Sequence, residues 1–322
     1  MIGKVPPELL DELVVDRSGA TDERVRQGPA YGEDAAAIDL GDEVLVISTD
    51  PISLAVERIG TLGVEVACND VAAAGADPAW LTVTLFLPDD DEATLAAITR
   101  QLDEAAEDAG VSIVGGHSEY APDLDTPMVV LTCLGLADRF VSTGGAEPGD
   151  RIVLTGGAGI EGTTILATDF RADLEDEVPA DALDRAGTFY DEVGVRDAAA
   201  ILREHATAMH DPTEGGLLAG LVELASASGV VLDVDPDAIL VREETAAVCA
   251  AAGVDPLRIF GSGALVATVP ADAADSAVES LQERGIGAAV VGEVAADGDP
   301  VVRLGDEQYR DAVRDDMYDL WT

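Results

Sequence analysis

Asp70 stands where this chain offers least reason for a charge. Ile59, Gly63, Val66 and Asp70 step by four, three and four residues, so Asp70 returns to within ~20° of Ile59 on a helical wheel. The spacing predicts a helix whose apolar stripe carries a carboxylate, with Val71, Ala72, Ala73 and Ala74 behind it. Such a charge has to be paired, hydrogen-bonded or bound to a cation, because burying it bare is prohibitive. The alternative is a cap or a solvated residue at a helix break. A predicted buried strand over residues 44–48 delivers Thr49 and Asp50 at its carboxyl end. Three further places set acids or histidine beside glycine: Gly32-Glu33-Asp34, Gly115-Gly116-His117 with Glu119, and His210-Asp211-Pro212-Thr213-Glu214 before Gly215-Gly216. Glycine lets backbone approach a ligand closely. A plain turn, or an Asp-Pro-Thr helix cap, would look the same in sequence.

These residues need a frame. Period-2 and period-3.6 patterning reads strand–strand–helix–strand–helix–strand–strand up to residue 137, an α/β order. The helices fall at 59–74 and 91–109 and the later strands at 80–87, at 111–114 just ahead of Gly115-Gly116, and at 127–137; a short helix at 7–15 precedes the whole. In α/β folds ligands gather at the carboxyl ends of strands, which favours Gly115, Gly116 and His117. Gly-Gly and Pro-Gly interrupt the pattern across residues 139–149, placing a boundary between domains 1–142 and 143–322. Beyond it come helices at 193–205, 243–252 and 271–284, strands at 230–234 and 264–269, and a last strand at 288–294 before a polar tail.

Residues 157–162 match G-x-G-x-x-G after a strand and before a helix. A dinucleotide fold would need a second strand ending in an acid ~20 residues later. Residues 171–186 are acidic and lack strand character, so that fold is rejected. The loop is kept as a candidate anion-binding helix N-terminus. Lys4 is the sole lysine, so no Walker A motif exists.

Formal net charge is −46, from 64 acids against 18 bases, yet 48% of the 322 residues are hydrophobic. That combination reads as a folded protein with a carboxylate-coated, halophilic type of surface rather than a disordered one. Acids are therefore informative only among apolar or glycine neighbours; runs such as 89–92 and 173–177 read as solvated surface. No basic stripe exists to meet phosphates of a nucleic acid. Cys68, Cys133 and Cys249 show no paired spacing, which favours a reducing compartment. No apolar run approaches ~18 residues and no signal-peptide pattern opens the chain, so a soluble, cytoplasmic protein with no membrane partner is expected.

The ordered set GEDAA, STD, NDVAAAGADP, GGHSE, DPTEGG and GSG resembles the aminoimidazole ribonucleotide (AIR) synthetase-related, or PurM-like, superfamily. The likeness runs from about Gly32 to Val294, and its texture is nearest to the hydrogenase maturation type, HypE. It implies an α/β fold of two domains, the first forming a dimer-spanning β-barrel in a homodimer and the second a C-terminal α/β domain. It also implies ATP in the cleft between them, held through Mg²⁺. By motif, Asp34, Asp50, Asp70 and Asp211 would be metal ligands, with Thr49, Gly32, Gly115 and Gly116 also contacting the nucleotide; Asp211, His117 and Glu119 are the catalytic candidates. The implied chemistry is ATP-dependent phosphoryl transfer to, or dehydration of, a small-molecule or protein-borne group. The alternatives are a non-catalytic ATP-binding maturation factor and a thiamine-monophosphate kinase-like enzyme.

Two departures matter. The resemblance implies a terminal cysteine where this sequence ends in DMYDLWT, so self-modification of its own tail is not expected. It also implies an aspartate where His117 stands, and imidazole is a poor replacement for carboxylate on Mg²⁺.

Overall fold

The computed structural model describes residues 3–53 and 57–321. A short helix α1 (Pro7–Leu13) leads into six strands: β1 (Val25–Gln27), β2 (Ala36–Asp39), β3 (Val44–Ile52), β4 (Asp77–Leu87), β5 (Ser112–Tyr120) and β6 (Met128–Ala137). They form one sheet in the order β1-β2-β3-β6-β4-β5, antiparallel except where β4 and β5 run parallel. Burial alternates along β3 and β6, the period that a half-covered sheet demands. The covered face carries α2 (Ile59–Ala73) and α3 (Glu92–Ala109), with Val64, Ala67 and Val71 packed on the core that holds Val46, Leu81 and Leu131. Within one chain the sheet stays open.

Asp91, inside an acid run expected to be bare surface, caps α3 by accepting from the backbone N–H groups of Ala93 and Thr94, and Gly110 closes the helix in the left-handed conformation. β5 is the larger surprise. Sequence patterning ends this strand before the glycines, but it continues through them to Tyr120. Gly116 makes this possible: its φ is +154°, and a Cβ there would lie 1.9 Å from the Val83 carbonyl oxygen of β4. Gly115 has open space where its side chain would be. Gly116→Ala is therefore expected to cost roughly 2–4 kcal/mol or more, and Gly115→Ala under about 0.5 kcal/mol. Thermal melts of the two variants decide it, and equal effects would remove the packing account.

The second half builds β7 (Arg151–Thr155), β8 (Ala208–His210), β9 (Val230–Val234), β10 (Leu265–Val269), β11 (Ala288–Asp297), β12 (Val301–Leu304) and β13 (Glu307–Tyr309). Their order is β13-β12-β9-β11-β7-β10-β8. Around this sheet lie α4 (Ile160–Thr168), α5 (Arg171–Leu174), α6 (Ala180–Gly187), α7 (Arg196–Leu202), α8 (Gly216–Ser228), α9 (Glu243–Ala252) and α10 (Ala274–Glu283). One core gathers Leu154, Leu221 and Val266; the other gathers Val153, Met209 and Leu281. The expected final strand is not the last, because β12 pairs in parallel with β9 and β13 folds back on it. Nor is the tail wholly polar surface: Met317 and Tyr318 are buried in a cluster with Ile160, Ile259 and Phe260.

The two halves are tied through α2. Leu62 is buried in that second-half cluster. Asn69, fully buried, donates to the Val193 carbonyl at 2.7 Å and accepts from the Val195 N–H at 2.8 Å. A bidentate amide of this kind leaves little freedom to the helix turn that carries Asp70.

Candidate active site in the cleft between the halves

Asp70 lies within α2 and is 5% exposed, so it is neither a cap nor a solvated break. Strand alternation aims Ser48 and Asp50 of β3 to the helix side of the sheet, and the Ser48 hydroxyl donates to Asp70 Oδ2 at 2.5 Å. Asp34 arrives from the loop before β2, and Asp211 follows β8 directly. Each of Asp34, Asp70 and Asp211 offers an oxygen within 4.8 Å of the others.

Such a cluster is electrostatically unsatisfied. Burial, then the neighbouring carboxylates led by Asp50, push Asp70 well above the usual range. Burial also raises Asp34, against the pull of His210. Asp211 is pushed up to about 8 by burial and the charge of Asp34. Both carboxylate oxygens of Asp211 are buried and meet no protein donor. Three acids so placed hold protons or a cation at neutral pH. An all-oxygen set of carboxylates suits a hard divalent cation such as Mg²⁺.

Asp34 is braced from behind. His210 Nδ1 lies 2.7 Å from Asp34 Oδ1, and its Nε2 lies 3.0 Å from Glu223 Oε2 on α8. Burial works against the imidazolium, but Asp34 and Glu223 outweigh it and hold its pKa near 10. Burial likewise opposes the Glu223 carboxylate, which Lys4 and His210 bring down to about 2. Lys4 Nζ completes the row at 3.4 Å from Glu223 Oε1. Motif reading marked His210 beside Asp211 without assigning it a role, and passed over Glu223. Yet Glu223 lies in GLLAGLVELASAS, an acid among apolar neighbours, the signal that singled out Asp70.

The cleft opens between the halves. Asp34, Asp50 and Asp70 line one side, and Glu161, Glu214 and Ser262 line the other. Gly32 packs beside Glu223, whose carbonyl oxygen would be 3.0 Å from a Cβ there. Other expected ligands lie elsewhere in this chain. Thr49 points to the opposite face of the sheet and hydrogen-bonds Thr132 at 2.9 Å. His117 and Glu119 pair with each other at 2.9 Å on the exposed edge strand β5, and His117 borders, with Gly115 and Gly116, a separate hollow against α3.

The glycine loop at 157–162 is not left free for an anion. The N–H groups of Ala158, Glu161 and Gly162 are spent on the carbonyls of Leu240, Ser262 and Phe260 at 2.9–3.1 Å, and the buried Glu161 carboxyl adds negative charge to the helix start. Burial holds that carboxyl up at about 7, against hydrogen bonding from Ser262. Nor does Asp211 cap α8, whose N-cap is Gly215. The N–H groups of Gly215 and Gly216 go to Asp315 and Thr213. That double glycine serves close packing against Val313, Leu257 and Ile259.

Residues 32–137 match the family model for the AIR synthase related protein, N-terminal domain, and residues 147–305 match that for its C-terminal domain. The chain belongs to the AIR synthase-related family. It is 32% identical over 314 residues to the carbamoyl dehydratase HypE of Cupriavidus necator, covering 94% of this chain and 86% of that one. Among solved structures, HypE in complex with ATP superposes with a TM-score of 0.70 at 27% identity, over 94% of this chain and 92% of that chain. A chain of the HypE–HypF complex gives a TM-score of 0.77 at 24% identity, over 95% of this chain and 99% of that chain. The two-domain α/β fold is the PurM-like one.

Proposed function

We propose that this protein is an ATP-dependent enzyme of HypE-like type that binds Mg²⁺ and ATP in the cleft and activates a small-molecule or protein-borne group by phosphoryl transfer or dehydration. The observation that carries this is the convergence of Asp34, Asp70 and Asp211, with both carboxylate oxygens of Asp211 buried and unpartnered. A relative at 27% identity is a HypE solved with ATP, and another relative is named a carbamoyl dehydratase.

Asp34, Asp70 and Asp211 would hold the cation, with Asp50 at the mouth of the cleft. A divalent cation there supplies neutralisation and orientation of the phosphates. The chain's own part is positioning: His210 and Glu223 fix the rotamer of Asp34, Ser48 fixes Asp70, and Asn69 locks α2 against the second half. Phe260, Ile165 and Val66 give the cleft an apolar wall that limits water around the reacting groups. All three cysteines are buried and no thiol lines the cleft among the described residues, so we assign the acceptor group to another molecule.

The homodimer is proposed through β5 and the uncovered sheet face. Trp80, Ile113, Val114 and Tyr120 are exposed there, and His117, Glu119 and Thr49 would face the second copy. The acidic coat fits a cytoplasm rich in salt.

The test is ADP release from purified protein with ATP and Mg²⁺ in concentrated KCl, with and without a metabolite pool and candidate partner proteins. ADP release that depends on Mg²⁺ and an added acceptor is expected. Tight ATP binding with no release under any addition would leave a maturation factor without turnover.

A further inference from the structure

Six side chains lining the cleft are carboxylates, and Lys4 is the only cation lining it among the described residues. We propose that Lys4 contacts the terminal phosphate of bound ATP, and that the N-terminal arm is the strap that places it there. This deepens the ATP reading above and rests on it.

Lys4 is poorly committed where it stands. Its side chain is half-exposed, and its hydrogen bond to Glu223 is 3.4 Å long, against about 2.7–2.9 Å for a well-formed charged pair. An ammonium has three donors, and this one borders the cleft with donors to spare. Glu223 keeps a partner when Lys4 moves, because its other oxygen is paired with the buried His210. Moving Lys4 toward the cleft therefore leaves no buried carboxylate unpartnered.

The arm has the matching construction. Gly3 has φ +115° and sits against Tyr318, where a Cβ would come within 2.6 Å of the ring. The Tyr318 hydroxyl in turn donates to Glu214, another cleft residue. α1, which follows, has no buried residue. The arm is thus seated at the cleft by Gly3 and Lys4 rather than by the core.

Charge supplies the reason. A triphosphate entering a carboxylate-lined cleft is repelled except where positive charge meets it. A divalent cation on Asp34, Asp70 and Asp211 would serve the phosphates it touches, and the terminal phosphate, carrying the most charge, gains most from an additional ammonium. Lysine acts on phosphate as a compact point charge on a flexible stem.

The experiment is equilibrium binding of a non-hydrolysable ATP analogue and of ADP, both with Mg²⁺ in concentrated KCl, to wild type, Lys4→Arg and Lys4→Gln, each checked for folding by circular dichroism. Lys4→Gln is expected to lose about 10- to 100-fold in affinity for the ATP analogue and under about threefold for ADP, with Lys4→Arg close to wild type. Since Lys4 is the only lysine, amine acetylation read by peptide mass gives a second readout: the ATP analogue should protect it and ADP should not. Unchanged affinity in Lys4→Gln would overturn the proposal. So would equal losses for both nucleotides, since that marks Lys4 as a tether. If wild type binds neither nucleotide, the ATP reading itself fails and takes this inference with it.

Discussion

Asp211→Asn is expected to weaken Mg-ATP binding by at least about 100-fold while leaving thermal stability in metal-free buffer unchanged or raised. Loss of residues that merely orient metal ligands already costs about 10- to 100-fold in affinity, and Asp211 is proposed as a ligand itself. The stability half of the result follows from the same geometry. Asp211 is buried, meets no protein donor, and is pushed upward by burial and by Asp34. Asparagine is neutral at every pH, so it removes the repulsion that the ionised carboxylate would exert on its neighbours. A structural carboxylate behaves the opposite way, because removing one partner of a buried pair destabilises strongly. Titration calorimetry with Mg-ATP and a metal-free melt, run on Asp211→Asn and on Asp70→Asn, separate the two cases. Thr49→Val, on the other face of the sheet, is the control. Wild-type affinity in both aspartate variants would end the metal-site reading.

The second large effect is on stability against pH. For Asp211 the folded value, about 8, lies above the ordinary 3.8. The folded protein therefore binds more protons in that window, and metal-free stability falls as pH rises from about 4 to about 8. His210 runs the same way: raised from 6.5 to about 10, it contributes fully below about 6.5 and loses that contribution as pH climbs toward 10. Glu223 sets the acid side, since a value lowered from 4.5 to about 2 gives stability that is present above 4.5 and lost as pH falls toward 2. Without divalent cations the optimum should lie near pH 4–4.5, where the Glu223 gain is nearly complete and the Asp211 loss begins, and the loss by about pH 8 should be on the order of a few kcal/mol. That is a drop of several degrees, at about 2–4 °C per kcal/mol. On the proposed metal-site reading, Mg²⁺ should take the place of the protons on the aspartates and restore most of the loss on the alkaline side. Melts across pH in constant KCl, with chelator or with Mg²⁺, measure it. A metal-free midpoint that is flat from neutral to about pH 8, or indifferent to Mg²⁺, would contradict the cluster electrostatics.

The α/β order was legible because it rests on local periods. Alternation in β3 and β6, the 3.6-residue stripe of α2 and α3, and the Gly110 stop are written in nearest neighbours. Where the reading stopped short, the deciding contact was remote. β5 runs through Gly115 and Gly116 because β4 lies flush against it at Val83, and β12 is a strand because β9 is its partner.

The same division holds at the site. From sequence alone, Asp70 was marked as a carboxylate on an apolar stripe, and the ordered motifs pointed to Asp34, Asp50 and Asp211 beside it. Tertiary structure decided which of these meet. A loop, a helix and a strand end, drawn from both halves of the chain, bring Asp34, Asp70 and Asp211 within one cation's reach. It also supplied His210 and Glu223 as the brace behind Asp34. The period of two in β3 turned Thr49 away although it adjoins Asp50, and the open edge of the sheet left His117 and Glu119 outside the cleft. Spacing along a chain encodes which face a residue takes on its own element; only the packing of elements against one another encodes which faces converge.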